Sequence, residues 1–109
     1  MQQTSSFFPH ETLRAYKLAV QVSRWVSASK FPRGMAWLKD QAQRAAGSVA
    51  LNIAEGHGRS GQARRNHYEI AYASASEACA ALDLIDLPGA AEQQQHLRDI
   101  GSMLAGLMR

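Results

Sequence analysis

Apolar positions along the chain recur at steps of three and four, and nowhere do they alternate with period two for long enough to suggest a sheet. Over residues 11–29, Leu13, Tyr16 and Val20 make one stripe and Leu18, Val22 and Trp25 another, which predicts a helix with two buried neighbours. It stops at Lys30-Phe31-Pro32-Arg33-Gly34, where the proline holds Phe31 away from helical geometry and the glycine frees the turn. A second helix is expected over 34–56. A third, over 62–86, places Tyr68, Ala71, Ala75, Ala78, Leu82 and Ile85 on one face, and Leu87-Pro88-Gly89 then breaks the chain. A fourth, over 90–107, carries Leu97, Ile100, Leu104 and Leu107 with Met103 and Met108 alongside. Residues 1–10 read as an N-terminal tail ahead of one domain, 11–109. Four amphipathic helices with short connections predict an all-α, antiparallel up-down-up-down four-helix bundle.

The second helix is the most distinctive. Successive residues advance by about 100°, so Gln41, Ser48, Asn52 and Glu55 fall in one polar row with Arg44 at its margin. Leu38, Ala42, Val49 and Ile53 form the adjoining apolar row, and Gly47, Ala50 and Ala54 supply a small, close-packing side. A glycine in mid-helix costs about 1 kcal/mol against alanine unless close packing offsets it. The pattern leaves this helix almost no ordinary solvent face, so it is expected to be enclosed by neighbours. The Ala and Ser run from Ala71 to Ala81 repeats the habit, and the second and third helices are expected to pack at short range.

Composition narrows the class. With 46% hydrophobic and 19% charged residues the chain reads as a folded globular domain, and no run approaches the roughly 20 apolar residues of a membrane span. The start MQQTSSFFPH lacks the pattern of a secretory signal, and a lone Cys79 permits no internal disulfide, so a cytoplasmic location is the expectation. Net charge is +3, but residues 1–68 carry ten Lys/Arg against three Asp/Glu, and residues 69–109 two against six. Such asymmetry suits a basic surface for a polyanion, or unlike surfaces that meet between copies; charges on solvated helix faces are the plain alternative.

Three stretches together carry a resemblance: Phe31-Pro32; Gln41-x-x-Arg44-Ala45-Ala46-x-Ser48-Val49; and Asn52-Ile53-Ala54-Glu55-Gly56-x-Gly58-Arg59. With Tyr68-x-Ile70-Ala71, Ser74 and Glu77 downstream, the chain resembles the four-helix-bundle family of 23S rRNA-intervening-sequence proteins over roughly residues 11–108. The resemblance implies a cytosolic bundle that assembles with itself into a ring-like homopentamer. A related branch, accessory proteins of diversity-generating retroelements, binds a reverse transcriptase and nucleic acid. Ala50 stands where that family often has proline, and the strong basicity of the retroelement branch is missing.

Candidate chemistry is sparse. Gly56-His57-Gly58-Arg59-Ser60-Gly61 is literally GxGxxG, but it follows a helix with no βαβ unit around it, so a turn is expected, with Gly56 closing the second helix and Ser60 capping the third. Arg59, Arg64 and Arg65 cluster at the start of the third helix, where free amides and partial positive charge suit a phosphate. Arg33 and Lys39 are weaker candidates for the same contact. The alternative is that these side chains are solvated or ion-paired. Asn52 and Glu55 invite comparison with a catalytic pair, yet no cleft or partner base accompanies them, so the row Gln41, Arg44, Ser48, Asn52, Glu55 is read as structural.

Cys79 reads as a packed thiol, and the histidines lack metal-ligand spacing. Trp25, Trp37 and Tyr72 suit either core or an oligomer interface. The expectation is a non-enzymatic oligomeric scaffold or adaptor without cofactor, metal or membrane. Its partners are further copies of itself, RNA or DNA through the basic residues, and a protein. A self-assembling module without nucleic-acid contact is the alternative.

Overall fold

Short turns divide residues 7–109, the part of the chain that the computed structural model describes; residues 1–6 of the expected tail lie outside it. A 3-10 turn, Pro9–Thr12, precedes α1 (Arg14–Ala28), α2 (Ala36–His57), α3 (Gly61–Asp83) and α4 (Ala90–Leu107). No strand occurs among the described residues. The first helix therefore begins later than residue 11, for a local reason. Pro9 opens the 3-10 turn, the Glu11 carboxylate accepts the Phe8 N–H at 2.8 Å, and Leu13 is extended before α1 starts. At the other end the Ser29 hydroxyl donates to the Trp25 carbonyl at 2.7 Å.

The α1–α2 and α3–α4 connections repeat one device. Met35 N–H bonds the Pro32 carbonyl and Ala90 N–H the Leu87 carbonyl, and the third residue of each turn is a glycine, Gly34 at φ +87° and Gly89 at φ +90°. That is type II geometry, which side chains resist. Gly89 has a second reason to lack a side chain, since a Cβ there would meet the Trp25 indole at 3.3 Å. The C-terminal end of α1 is thereby tied to the start of α4. α3 ends at Asp83, short of residue 86, because Leu84 already leaves helical geometry ahead of the Pro88 turn.

α2 packs on α1 and α3, α4 packs on α3 and α1, and the diagonal pairs make no close backbone approach. Each helix thus has two helical neighbours, as the two stripes of α1 require, and the 3-10 turn packs on α1 and α2 as well. Ala15, Leu18, Ala19, Val22 and Val26 of α1 are buried, with Tyr16, Val20 and Trp25 half-buried at the edges. They meet Leu38, Val49 and Ile53 of α2, Tyr68, Ala71, Ala78 and Leu82 of α3, and Leu97, Ile100 and Leu104 of α4 in one core. The radius of gyration is 14.7 Å, against about 13 Å for a compact chain of this length, so the protomer is drawn out.

The reading of α2 as enclosed on nearly all sides needs correction for the single protomer. Trp37, Asp40, Gln41, Arg44, Leu51 and Glu55 form an exposed strip along it. Of the small residues, Ala50 is buried and Ala54 half-buried, but a Cβ built on Gly47 would meet nothing within 4 Å. The close approach falls at Gly56 instead. It is buried, and a Cβ there would lie 2.9 Å from Cδ1 of Tyr68 and 3.0 Å from Cβ of His67. Gly56 does not end α2, which runs on to His57; its missing side chain is what lets α3 come close.

Candidate functional site

The candidate residues divide between the two ends of α2. At its C-terminal end the turn brings Arg59, Arg64 and Arg65 together, with His57 and His67. At its N-terminal end stand Arg33 and Lys39, about 30 Å away by the rise of the intervening helix. The five basic residues therefore do not form one site.

Each turn arginine has an intramolecular partner. Nε and Nη2 of Arg59 donate to Oε2 of Glu55 at 2.9 and 2.6 Å. Arg65 lies 3.5 Å from the Glu69 carboxylate and also donates to the Met108 carbonyl at the end of α4. Arg64 is the most committed: its guanidinium donates to the carbonyls of Arg59 at 2.8 Å, His57 at 3.1 Å and Gly56 at 3.3 Å. The Gly56 carbonyl also accepts the Arg59 N–H, whereas that of His57 is one of those an α-helix leaves unpaired at its end, so Arg64 staples the start of α3 to the end of α2. Lys39 donates from Nζ to the Ser29 carbonyl at 2.8 Å and does the same for α1. Arg33 is exposed in the Pro32–Met35 turn and has no side-chain partner among the described residues. Ser60 precedes α3, yet its hydroxyl makes no capping bond, which corrects the expected cap and leaves the first amides of α3 without one.

The polar row along α2 separates by depth. Gln41, Arg44 and Glu55 are exposed, and Arg44 pairs with Asp40 at 2.9 Å in solvent, where an ion pair contributes little. Ser48 and Asn52 turn inward and join α2 to α3. The Ser48 and Ser74 hydroxyls lie 2.8 Å apart, Nδ2 of Asn52 donates to the Ser48 carbonyl at 2.9 Å and hydroxyl at 3.1 Å, and Oδ1 accepts from Nδ1 of His67 at 3.0 Å. This network satisfies the polar groups of a close small-residue seam. Ser74 and His67 are the members from α3; Ser74, part of the family pattern, faces Ser48 from within the third helix's Ala and Ser run, and His67 has no role in the reading of the sequence. The hydrogen bond from Arg59, with its charge, lowers the Glu55 pKa, so this carboxylate is held ionised.

His57 and the buried Tyr68 close the end of the seam, with Nδ1 and the hydroxyl 2.9 Å apart. Burial first, then the charges of Arg64 and His10, lower the His57 pKa from its ordinary 6.5, and burial raises that of Tyr68. The unfolded chain therefore takes up the His57 proton more readily than the fold does. That contribution to stability is complete above pH 6.5 and is lost as the pH falls below it. The urea midpoint is expected to decline on acidification through this window, and less steeply in His57→Asn; equal slopes in both proteins would contradict the assignment.

Other surface features lie away from the turn. A groove between α3 and α4 is lined by Ala80, Cys79, Gly101 and Ala105 with Tyr72 and Arg98 on its walls, so Cys79 is a half-buried lining thiol. Trp25 is half-buried over Gly89, while Trp37 is 57% exposed, Leu51 71% and Tyr72 48%. Of the three aromatics that suited either core or interface, Trp37 and Tyr72 are thus exposed.

Among the described residues no helix is long and apolar enough to cross a membrane. The chain matches no curated protein. The sequence pattern of one family, described as 23S rRNA-intervening sequence protein, matches residues 11–106. That span takes in all four helices, the Gly56 seam and the arginine turn but for the last residue of α4, and by it the chain belongs to the 23S rRNA-intervening sequence protein family.

Proposed function

We propose that this chain is a non-enzymatic, self-assembling scaffold or adaptor of the cytoplasm, an antiparallel up-down-up-down bundle whose copies close into a ring-like homo-oligomer, five by family resemblance. The observation that carries the reading is the exposed strip of α2, where Trp37 and Leu51 stand in solvent beside an open Gly47. Covering such side chains is worth about 1.5–3 kcal/mol each, and tryptophan is a frequent anchor of protein interfaces. The antiparallel arrangement is supported by pairs such as Ser48 with Ser74 and Asn52 with His67, in which later residues of α2 meet earlier residues of α3. Cys79 with Gln94 and Arg65 with Met108 repeat that relation for α3 and α4.

The two tryptophans make a test simple. In a Trp25→Phe protein, Trp37 is the sole reporter. Its emission is expected to shift to the blue and its quenching by iodide to fall as concentration rises through assembly. Emission that stays red and fully quenchable at every concentration would contradict the proposal.

A second reading, contact with RNA or DNA phosphates, is supported by the half-exposed guanidiniums of Arg59 and Arg65 beside the uncapped start of α3. Arg33 and Lys39 would add weaker contacts from the far end. Here Arg59→Ala with Arg65→Ala is the informative change, because Arg64→Ala would loosen the turn itself. The double variant is expected to bind a duplex more weakly and to lower the slope of log affinity against log salt by about two. An unchanged slope would remove this contact.

A further inference from the structure

We infer that copies of the chain meet through unlike surfaces, the cationic side carried by α1 and the α1–α2 turn of one copy against the acidic α3–α4 side of the next. This rests on the self-assembly reading above and adds the chemistry of the contact.

Charge is sorted along the chain to an unusual degree. Residues 12–39 hold six cations and no acid, and residues 66–97 hold five acids and no cation. The fold turns that sorting into surfaces. Arg14, Lys17 and Arg24 are exposed along α1, followed by the exposed Lys30 and Arg33. Glu77, Asp83, Asp86 and Glu92 are exposed on α3, its following turn and the start of α4. Because Trp25 packs on Gly89, Arg24, Lys30 and Arg33 stand at the same end of the bundle as Asp83, Asp86 and Glu92.

The two sets do not neutralise each other within a protomer. Ion pairs among the described residues join Arg44 to Asp40, Arg59 to Glu55 and Arg65 to Glu69, and none involves a cation of α1 or its following turn. α1 and α3 are diagonal in the bundle, so their outer sides face away from each other. Each charged surface also has an exposed apolar side chain close in sequence, Trp37 after the cations and Leu84 between Asp83 and Asp86. Beside the acidic surface lies the α3–α4 groove, where Ala80, Gly101 and Ala105 let another chain come near.

A second copy answers both surfaces at once, the cations of one matching the acids of the next at the same level. A polyanion would answer only the first. Contact between unlike patches is heterologous, and repetition of it generates a closed ring when the rotation allows.

The test is a charge exchange. One variant carries Arg24→Glu, Lys30→Glu and Arg33→Glu, the other Glu77→Lys, Asp83→Lys and Asp86→Lys, each checked for native helicity by circular dichroism. Each alone is expected to raise the concentration needed for assembly at least about tenfold, since like charges then face each other. An equimolar mixture is expected to associate again, as mixed pairs and short alternating runs in native mass spectra, because two variants cannot alternate throughout a ring with an odd number of copies. Variants that assemble as the wild type does, or a mixture of folded variants that stays monomeric while the wild type assembles, would overturn the inference and leave self-assembly standing. A cationic-side variant that keeps its assembly but loses a bound nucleic acid would overturn it in favour of a polyanion surface. A monomeric wild type would remove the underlying reading instead.

Discussion

Gly56→Leu is expected to destabilise the protomer by about 3 kcal/mol, at the upper end of what forced overpacking costs. Even the first added carbon has no room: it would stand 2.9 Å from the Tyr68 ring and 3.0 Å from Cβ of His67. Tyr68 is only 1% exposed and its hydroxyl is tied to His57, so the ring has nowhere to swing. The better helix propensity of leucine, worth a little under about 1 kcal/mol, does not offset this. Gly47→Ala is the matched control, in the same helix and with open space around the new carbon, and it is expected to leave the protomer unharmed or slightly more stable. Urea midpoints of the two variants, read with circular dichroism at fixed protein concentration, check the pair. Combining Gly56→Ala with Tyr68→Val is expected to cost less than the sum of the two alone, because the second change removes the atoms that the first collides with. Strict additivity would show that Gly56 and Tyr68 are not coupled as the seam requires.

Trp37→Glu with Leu51→Glu is expected to abolish assembly at concentrations where the wild type assembles, and to leave the protomer folded. Both side chains lie mostly in solvent, outside the core, so their replacement removes little packing within the chain. If each contributes about 2 kcal/mol at an interface, their joint loss weakens association by roughly 1,000-fold, before the cost of the introduced charges. Size-exclusion chromatography with light scattering gives the mass, and thermal unfolding of the separated protomer confirms the fold. A double variant that retains the wild-type mass would show that this strip of α2 is not the covered one.

What could be read from the sequence follows from what periodicity can see. Steps of three and four locate four helices, and the glycines after Pro32 and Pro88 locate two of the turns, because those signals are local. The core positions Ala71, Ala75, Ala78 and Leu82 of α3 are recoverable for the same reason. Depth is another matter. Trp37 suits either core or interface from the sequence alone, and the packing of α1 and α3 on the other sides of α2 shows that it is left outside. Gly56 looks like a helix stop because glycine serves that purpose so often; its closeness to Tyr68 depends on a pairing of α2 with α3 that no single-helix pattern contains.

The candidate site was legible as a cluster and illegible as a function. Arg59, Arg64 and Arg65 do gather at one turn, but spacing alone gives no sign that Arg64 spends its donors on carbonyls of the α2–α3 turn. The polar row was visible as Gln41, Arg44, Ser48, Asn52 and Glu55. Its division into solvated residues and cross-linking ones required knowing where Ser74 and His67 lie.

The central claim is that the outer strip of α2 is covered by other copies of this chain. Sedimentation equilibrium of the unmodified protein over a wide dilution series measures this directly. A mass that is a whole multiple of the protomer at the concentrated end, falling on dilution in a single reversible step, is the predicted result; a well-folded monomer at every concentration is the result that would contradict it.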